Sequence, residues 1–112
     1  MKIDGHQHFW IYAQQDFDWI STGMEVLKQD YLPEDLAPLL QANGLDGSVV
    51  VQAMQTLQET QWLLELADGS SFLKGVVGWV DLCSAGVHQQ LERSASHPKF
   101  RGLRHIVQSE PD

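Results

Sequence analysis

Apolar residues gather in four short runs, and between them they recur at helical spacing. The runs Lys2 to Gly5, Gly47 to Gln52, Leu73 to Val80 and Gly102 to Val107 are short and apolar enough to form strands buried on both faces. Leu32, Leu36, Leu39 and Leu40 sit at i, i+4, i+7 and i+8, a helical stripe that closes at the stop signal Asn43-Gly44. Pro38 is the weak point of this helix, because inside a helix it removes a backbone hydrogen bond. Thr56-Leu57-Gln58-Glu59 has capping-box spacing and precedes Trp62, Leu63, Leu66 and Ala67 on one side, so a second helix should run to about Asp68. A third, from about Ala85 to Ala95 behind a Ser84 cap, has only Val87 and Leu91 as its apolar stripe and is weakened by Gly86. Strands alternating with helices predict an α/β fold with a parallel sheet and right-handed crossovers. No linker or low-complexity segment interrupts residues 1–112, so the chain reads as lying within a single domain. Residues 9–31 break the rhythm as an aromatic-rich excursion (Phe9, Trp10, Tyr12, Phe17, Trp19, Tyr31), either a functional loop or a plug over apolar surface.

Composition narrows the class of partner. At 43% hydrophobic residues the chain can pack a core, and 7 Lys+Arg against 15 Asp+Glu leave a formal charge of −8 with no basic patch. Phosphate backbones and anionic lipids are therefore poor partners. No apolar run approaches the ~20 residues of a membrane span and Met1-Lys2-Ile3-Asp4 lacks a signal-peptide core, so the expected location is cytoplasmic. The single cysteine, Cys83, agrees with a reducing compartment and is expected to be a small buried or half-buried residue.

The candidate chemistry begins at His6 and His8. Alternate strand residues share a face and lie about 6.6 Å apart, so both imidazoles can lean toward one ion at the strand's carboxyl end. Imidazole nitrogen suits zinc and its neighbours, and parallel α/β folds place their sites at this edge. Asp4 precedes the pair as a carboxylate able to orient one of the rings. Gln52, Trp79, Asp81, Arg104 and His105 fall near the carboxyl ends of the later strands. Arg104 either polarises a carbonyl or holds substrate through its planar fork, or makes a structural salt bridge. His105 is a third metal contact, an acid/base or a satisfied core histidine; Gln52 and Trp79 line a pocket or pack in the core. His88 and His97 read as solvated surface groups.

The opening "IDGHQHFW" resembles that of the amidohydrolase superfamily, in particular its amidohydrolase-2 branch of metal-dependent TIM-barrel hydrolases, which includes sugar-acid lactonases. The blocks "VLKQDYLPEDLAPLLQANGLDGSVVVQA", "ETQWLLELAD", "GVVGWVDL" and "FRGLRHIVQSEPD" extend the resemblance over essentially the whole chain. It implies that His6 and His8 contribute to a site for one divalent ion, zinc first and manganese as the alternative, and that Arg104 and His105 touch substrate. Gln52, Trp79, Asp81 and Trp10 are the further substrate-side candidates. The implied reaction is metal-assisted hydrolysis of a small-molecule substrate, a sugar-acid lactone or related carbonyl compound, with a decarboxylase of the same superfamily as the runner-up.

A complete (β/α)₈ barrel needs about 250 residues. At 112 residues the expectation is the amino-terminal half of a TIM barrel, with about four parallel strands, the remaining ligands elsewhere, and an inner apolar face covered by a carboxyl-terminal half or by a homo-oligomer. On that reading the bare chain is hydrolytically inactive. A non-catalytic remnant or interaction module is the alternative from another class.

Overall fold

A computed structural model describes residues 1–108, 110 and 111. It contains β1 (Ile3–Gln7), a 3₁₀ turn (Glu25–Leu27), α1 (Pro33–Ala42), β2 (Gly47–Val51), α2 (Leu57–Asp68), β3 (Leu73–Gly78), α3 (Val87–Ala95) and β4 (Phe100–Leu103). The strands form one parallel sheet in the order β1-β2-β3-β4, as the alternating pattern predicts. Val50, Val76 and Leu73 of the sheet pack with Leu63, Leu64 and Ala67 of α2 and with Phe9 in one buried cluster.

The strand limits depart from the sequence pattern, and at the ends of β3 and β4 side chains replace the ladder. β1 reaches Gln7 instead of stopping at Gly5, and its register against β2 slips between Asp4 and Gln7. β3 ends at Gly78 because Thr60 of α2 takes over the backbone of Trp79: the hydroxyl accepts its N–H and donates to its carbonyl, both at 2.8 Å. Gly78 leaves room for this, since a Cβ there would lie 2.7 Å from Thr60 Cγ2. β4 lies earlier than expected, and the N–H of Ile106 donates to the Gln55 side chain at 2.7 Å instead of to a strand.

Among the helices, α1 keeps Pro38 inside and ends as expected at Asn43 and Gly44, whose φ of +68° suits glycine. Of its leucine stripe, Leu40 is buried but Leu39 is exposed. α3 begins at Val87 with Gly86 at its cap, two residues later than expected. Lys74 and Arg101 are both exposed, and a Cβ at Gly47 or Gly75 would meet their stems at 2.8 Å. The sheet face expected to be apolar thus carries charged side chains as well. No helix among the described residues is long and apolar enough to cross a membrane.

Two smaller expectations are corrected. Cys83 is exposed. His97 has a side chain only 17% exposed, with Nε2 donating to Asp68 at 2.8 Å and Nδ1 accepting the Lys99 N–H at 3.0 Å. His88, 80% exposed beside Glu92, is the surface group expected.

The excursion after β1 is a folded loop. Trp10 and Tyr31 exchange backbone hydrogen bonds of 3.0 and 2.9 Å across its neck, and Trp10, Phe17 and Ile20 form a second buried cluster within it. Such self-packed loops hold their exposed residues in place.

Candidate active site

The carboxyl ends of β1, β2 and β4 meet the excursion loop around one cavity of about 690 Å³. His8, Arg104, Trp10 and Trp19 border it together with Asp16, Asp18 and the β2–α2 loop at Ala53 to Thr56. His8 lies one residue beyond β1, and its Nδ1 is 2.8 Å from the Val51 carbonyl. A carbonyl only accepts, so Nδ1 carries the hydrogen and Nε2 presents a lone pair. Burial holds the His8 pKa below its ordinary value, assisted by His6 and Arg104 and opposed by the Val51 hydrogen bond, so the ring is neutral at pH 7.

His6 stands beside it, the two ring centroids 5.0 Å apart and the planes at 82°. Arg104 Nη1 lies 3.3 Å from His6 Nε2. Because guanidinium only donates, that nitrogen is the acceptor. Asp4, by contrast, does not touch either ring: its Oδ1 accepts the backbone N–H of His6 at 3.1 Å, and the slipped register breaks the strict alternation that placed it beside the imidazoles.

The other sequence candidates fall into two groups. Trp10 borders the cavity while its indole N–H donates to the Gln29 carbonyl at 2.9 Å. Gln52, Trp79, Asp81 and His105 do not border it. Gln52 is fully buried and donates to the Met54 carbonyl at 3.1 Å. The Trp79 indole donates to His105 Nδ1 at 3.0 Å, which leaves the His105 Nε2 hydrogen directed at Glu110, also at 3.0 Å. Asp81 accepts the Cys83 N–H at 3.1 Å and shapes the turn before α3. Proximity to a strand end predicted the rim for all four; each makes a local hydrogen bond and none lines this cavity.

Glu59 is the group whose role the sequence pattern conceals. Thr56 caps α2 as expected by accepting the Glu59 N–H at 3.0 Å, but the Glu59 carboxylate does not return to Thr56. It turns to β2's carboxyl end and accepts the N–H groups of Ala53 and Met54, each at 3.1 Å. The residue is 5% exposed, and burial pushes its pKa up to about 7 against the lowering effect of the two amides and Arg104. This carboxylate anchors the loop that forms one cavity wall.

The amidohydrolase family model (Amidohydro_2) matches residues 3–112. The chain belongs to the amidohydrolase family. This amidohydrolase chain is similar to an L-fucono-1,5-lactonase of Burkholderia multivorans, 46% identical over 100% of the chain, and to one of Burkholderia ambifaria, 41% identical over 99%. It spans 38% of the length of each of these curated relatives. Among solved structures, an amidohydrolase from Burkholderia multivorans with bound zinc superposes with a TM-score of 0.91 at 46% identity, over 100% of this chain and 39% of that one. A structure of an amidohydrolase from the same organism with bound HEPES gives 0.94 at 44% identity, with the same coverage. The four parallel strands and their three intervening helices correspond to the amino-terminal half of the relatives' TIM barrel.

The amidohydrolase site here fits an ion in part. Neutral imidazole with a free lone pair is a standard donor for zinc, and His8 offers one beside the Nε2 acceptor of His6. The His8–Val51 bond is the kind of outer contact that would fix the ring were it to bind an ion. Among the described residues no group of three or more His, Cys, Asp or Glu gathers as metal ligands, so the pair is a partial donor set.

Proposed function

We propose that the chain supplies the His6–His8 arm of a divalent-metal site, zinc by preference, in an enzyme that hydrolyses the lactone of a sugar acid. The observation that carries this is the placement of His8 and Arg104 on one cavity, with the Nε2 lone pair of His8 left open by its Val51 hydrogen bond. The names of the lactonases it resembles and the zinc in the similar structure support it. The remaining ligands come from outside the described residues, and the enzyme works in the cytoplasm.

When bound, the ion supplies Lewis acidity and lowers the pKa of a water molecule toward neutrality. The chain's own residues orient the substrate. Arg104 now donates to His6 across a long 3.3 Å contact, which an ion on His6 would displace. Arg104's guanidinium, free of that contact, would have its paired donors available for a substrate carbonyl, where negative charge develops during attack. Hydrolysis consumes one water, breaks the ring C–O bond and leaves the open hydroxy acid. His105, held between Trp79 and Glu110, steadies the β4 rim as a positioning residue.

The test is a panel of sugar lactones offered to the zinc-loaded protein that carries this sequence, followed by acid release. Acid release above the spontaneous rate is the expected result. Carbon dioxide from an aromatic acid without lactone turnover supports a decarboxylase instead, and neither product supports the non-catalytic alternative.

A further inference from the structure

Two aspartates and a tryptophan on the excursion loop give the cavity a second kind of wall. Trp19 borders it and is 52% exposed, whereas Trp10 is 8% exposed. The two indoles meet edge to face, with centroids 6.4 Å apart at 86°, so Trp19 is braced by a buried ring. Asp16 and Asp18 flank Phe17, which is fully buried. The backbone there is tied by bonds from the N–H groups of Asp16 and Phe17 to the Ala13 carbonyl, both at 3.1 Å. Neither carboxylate has a hydrogen-bond or ion-pair partner among the described residues, although both line the cavity that His8 and Arg104 border.

These groups select a ligand chemistry. An indole face packs on the C–H face of a saturated ring, while ionised carboxylates only accept and therefore seek hydroxyl donors. Two negative charges disfavour a ligand bearing its own free carboxylate beside them. The occupant that satisfies all three conditions is an uncharged ring carrying several hydroxyl groups.

We propose that Trp19, Asp16 and Asp18 form the specificity wall for the closed, polyhydroxylated lactone, the indole stacking on its ring and the carboxylates accepting from its hydroxyls. This rests on the lactonase reading of His8 and Arg104 and adds the residues that distinguish sugar lactones from plain ones. A site that bonds hydroxyls discriminates against the analogue lacking them, because its polar groups lose their partners.

The experiment compares kcat/KM for a hydroxylated six-membered sugar lactone and for δ-valerolactone, in the zinc-loaded whole protein that carries this sequence, as wild type, Trp19→Ala and Asp18→Asn. Wild type should favour the sugar lactone, and each variant should lower that preference about tenfold to a hundredfold, chiefly by raising KM for the sugar lactone. Asp18→Asn keeps the size and exposure of the side chain, so it separates lost recognition from lost folding. Unchanged preference in both variants overturns the proposal. Turnover of both lactones by wild type with no preference also overturns it while leaving the lactonase reading standing, whereas turnover of neither overturns both.

Discussion

In the whole protein that carries this sequence, if the proposed site holds, alanine at both His6 and His8 is expected to remove the ion and to lower the proposed lactone hydrolysis by about three orders of magnitude. Loss of the Lewis acid forfeits several kcal/mol of transition-state stabilisation, and each 1.36 kcal/mol is a factor of ten. The fold should tolerate the change. His6 is exposed and His8 only half-buried, outside the cluster formed by Val50, Leu63, Leu73 and Val76. The check is kcat/KM of the double variant against wild type, each after zinc loading, with circular dichroism to show that both are folded. Comparable turnover in a folded double variant would remove the two imidazoles from the reaction.

Glu59→Gln should change how stability depends on pH. The folded carboxyl titrates at about 7 against an ordinary 4.5, so the folded protein holds this proton more tightly than the unfolded chain. The stabilisation is fully present below about pH 4.5 and is lost as pH rises through about 7. At 1.36 kcal/mol per pKa unit, the wild type forfeits on the order of 3 kcal/mol across that window. Glutamine does not titrate and lacks this slope. It does leave one of the Ala53 and Met54 amides less well satisfied, a constant cost of about 1 kcal/mol. Urea unfolding at pH 5 and pH 8 measures both effects: the two proteins should converge in stability, or cross, at the higher pH. Parallel pH dependence would show that Glu59 does not titrate in this range.

Much of the fold was legible in the chain, for identifiable reasons. Helical periodicity around Leu63 and the short apolar runs at Val50 and Val76 expose the alternation of strands and helices, and that alternation implies a parallel sheet. The Thr56 cap was readable because its partner, the Glu59 N–H, is three residues away in sequence. Strand ends were not, because groups distant in sequence finish them. Thr60 holds Trp79 from 19 residues away and Gln55 holds Ile106 from 51.

The same reasoning explains the candidate site. His-x-His at the end of the first strand was visible as a pair, and the two rings do stand together despite the register slip between Asp4 and Gln7. Rim position alone, however, does not set side-chain direction. Trp79 and His105 bond each other, and Asp81 turns to Cys83, through contacts that no local pattern announces. Glu59 could be read only as half of a capping box, since its true partners depend on where β2 stops. Trp19 stood out merely as one of several aromatics, and burial of Phe17 is what leaves its neighbours facing the cavity.

Zinc content and zinc K-edge X-ray absorption of the purified protein that carries this sequence, with and without the paired His6→Ala and His8→Ala changes, address the metal site most directly. Wild type should hold about one ion per site, with imidazole nitrogens at about 2.0–2.1 Å. The double variant should lose the ion or show two fewer imidazoles around it. Identical occupancy and an identical spectrum in the two proteins would contradict the account, because the ion would then be held without His6 or His8.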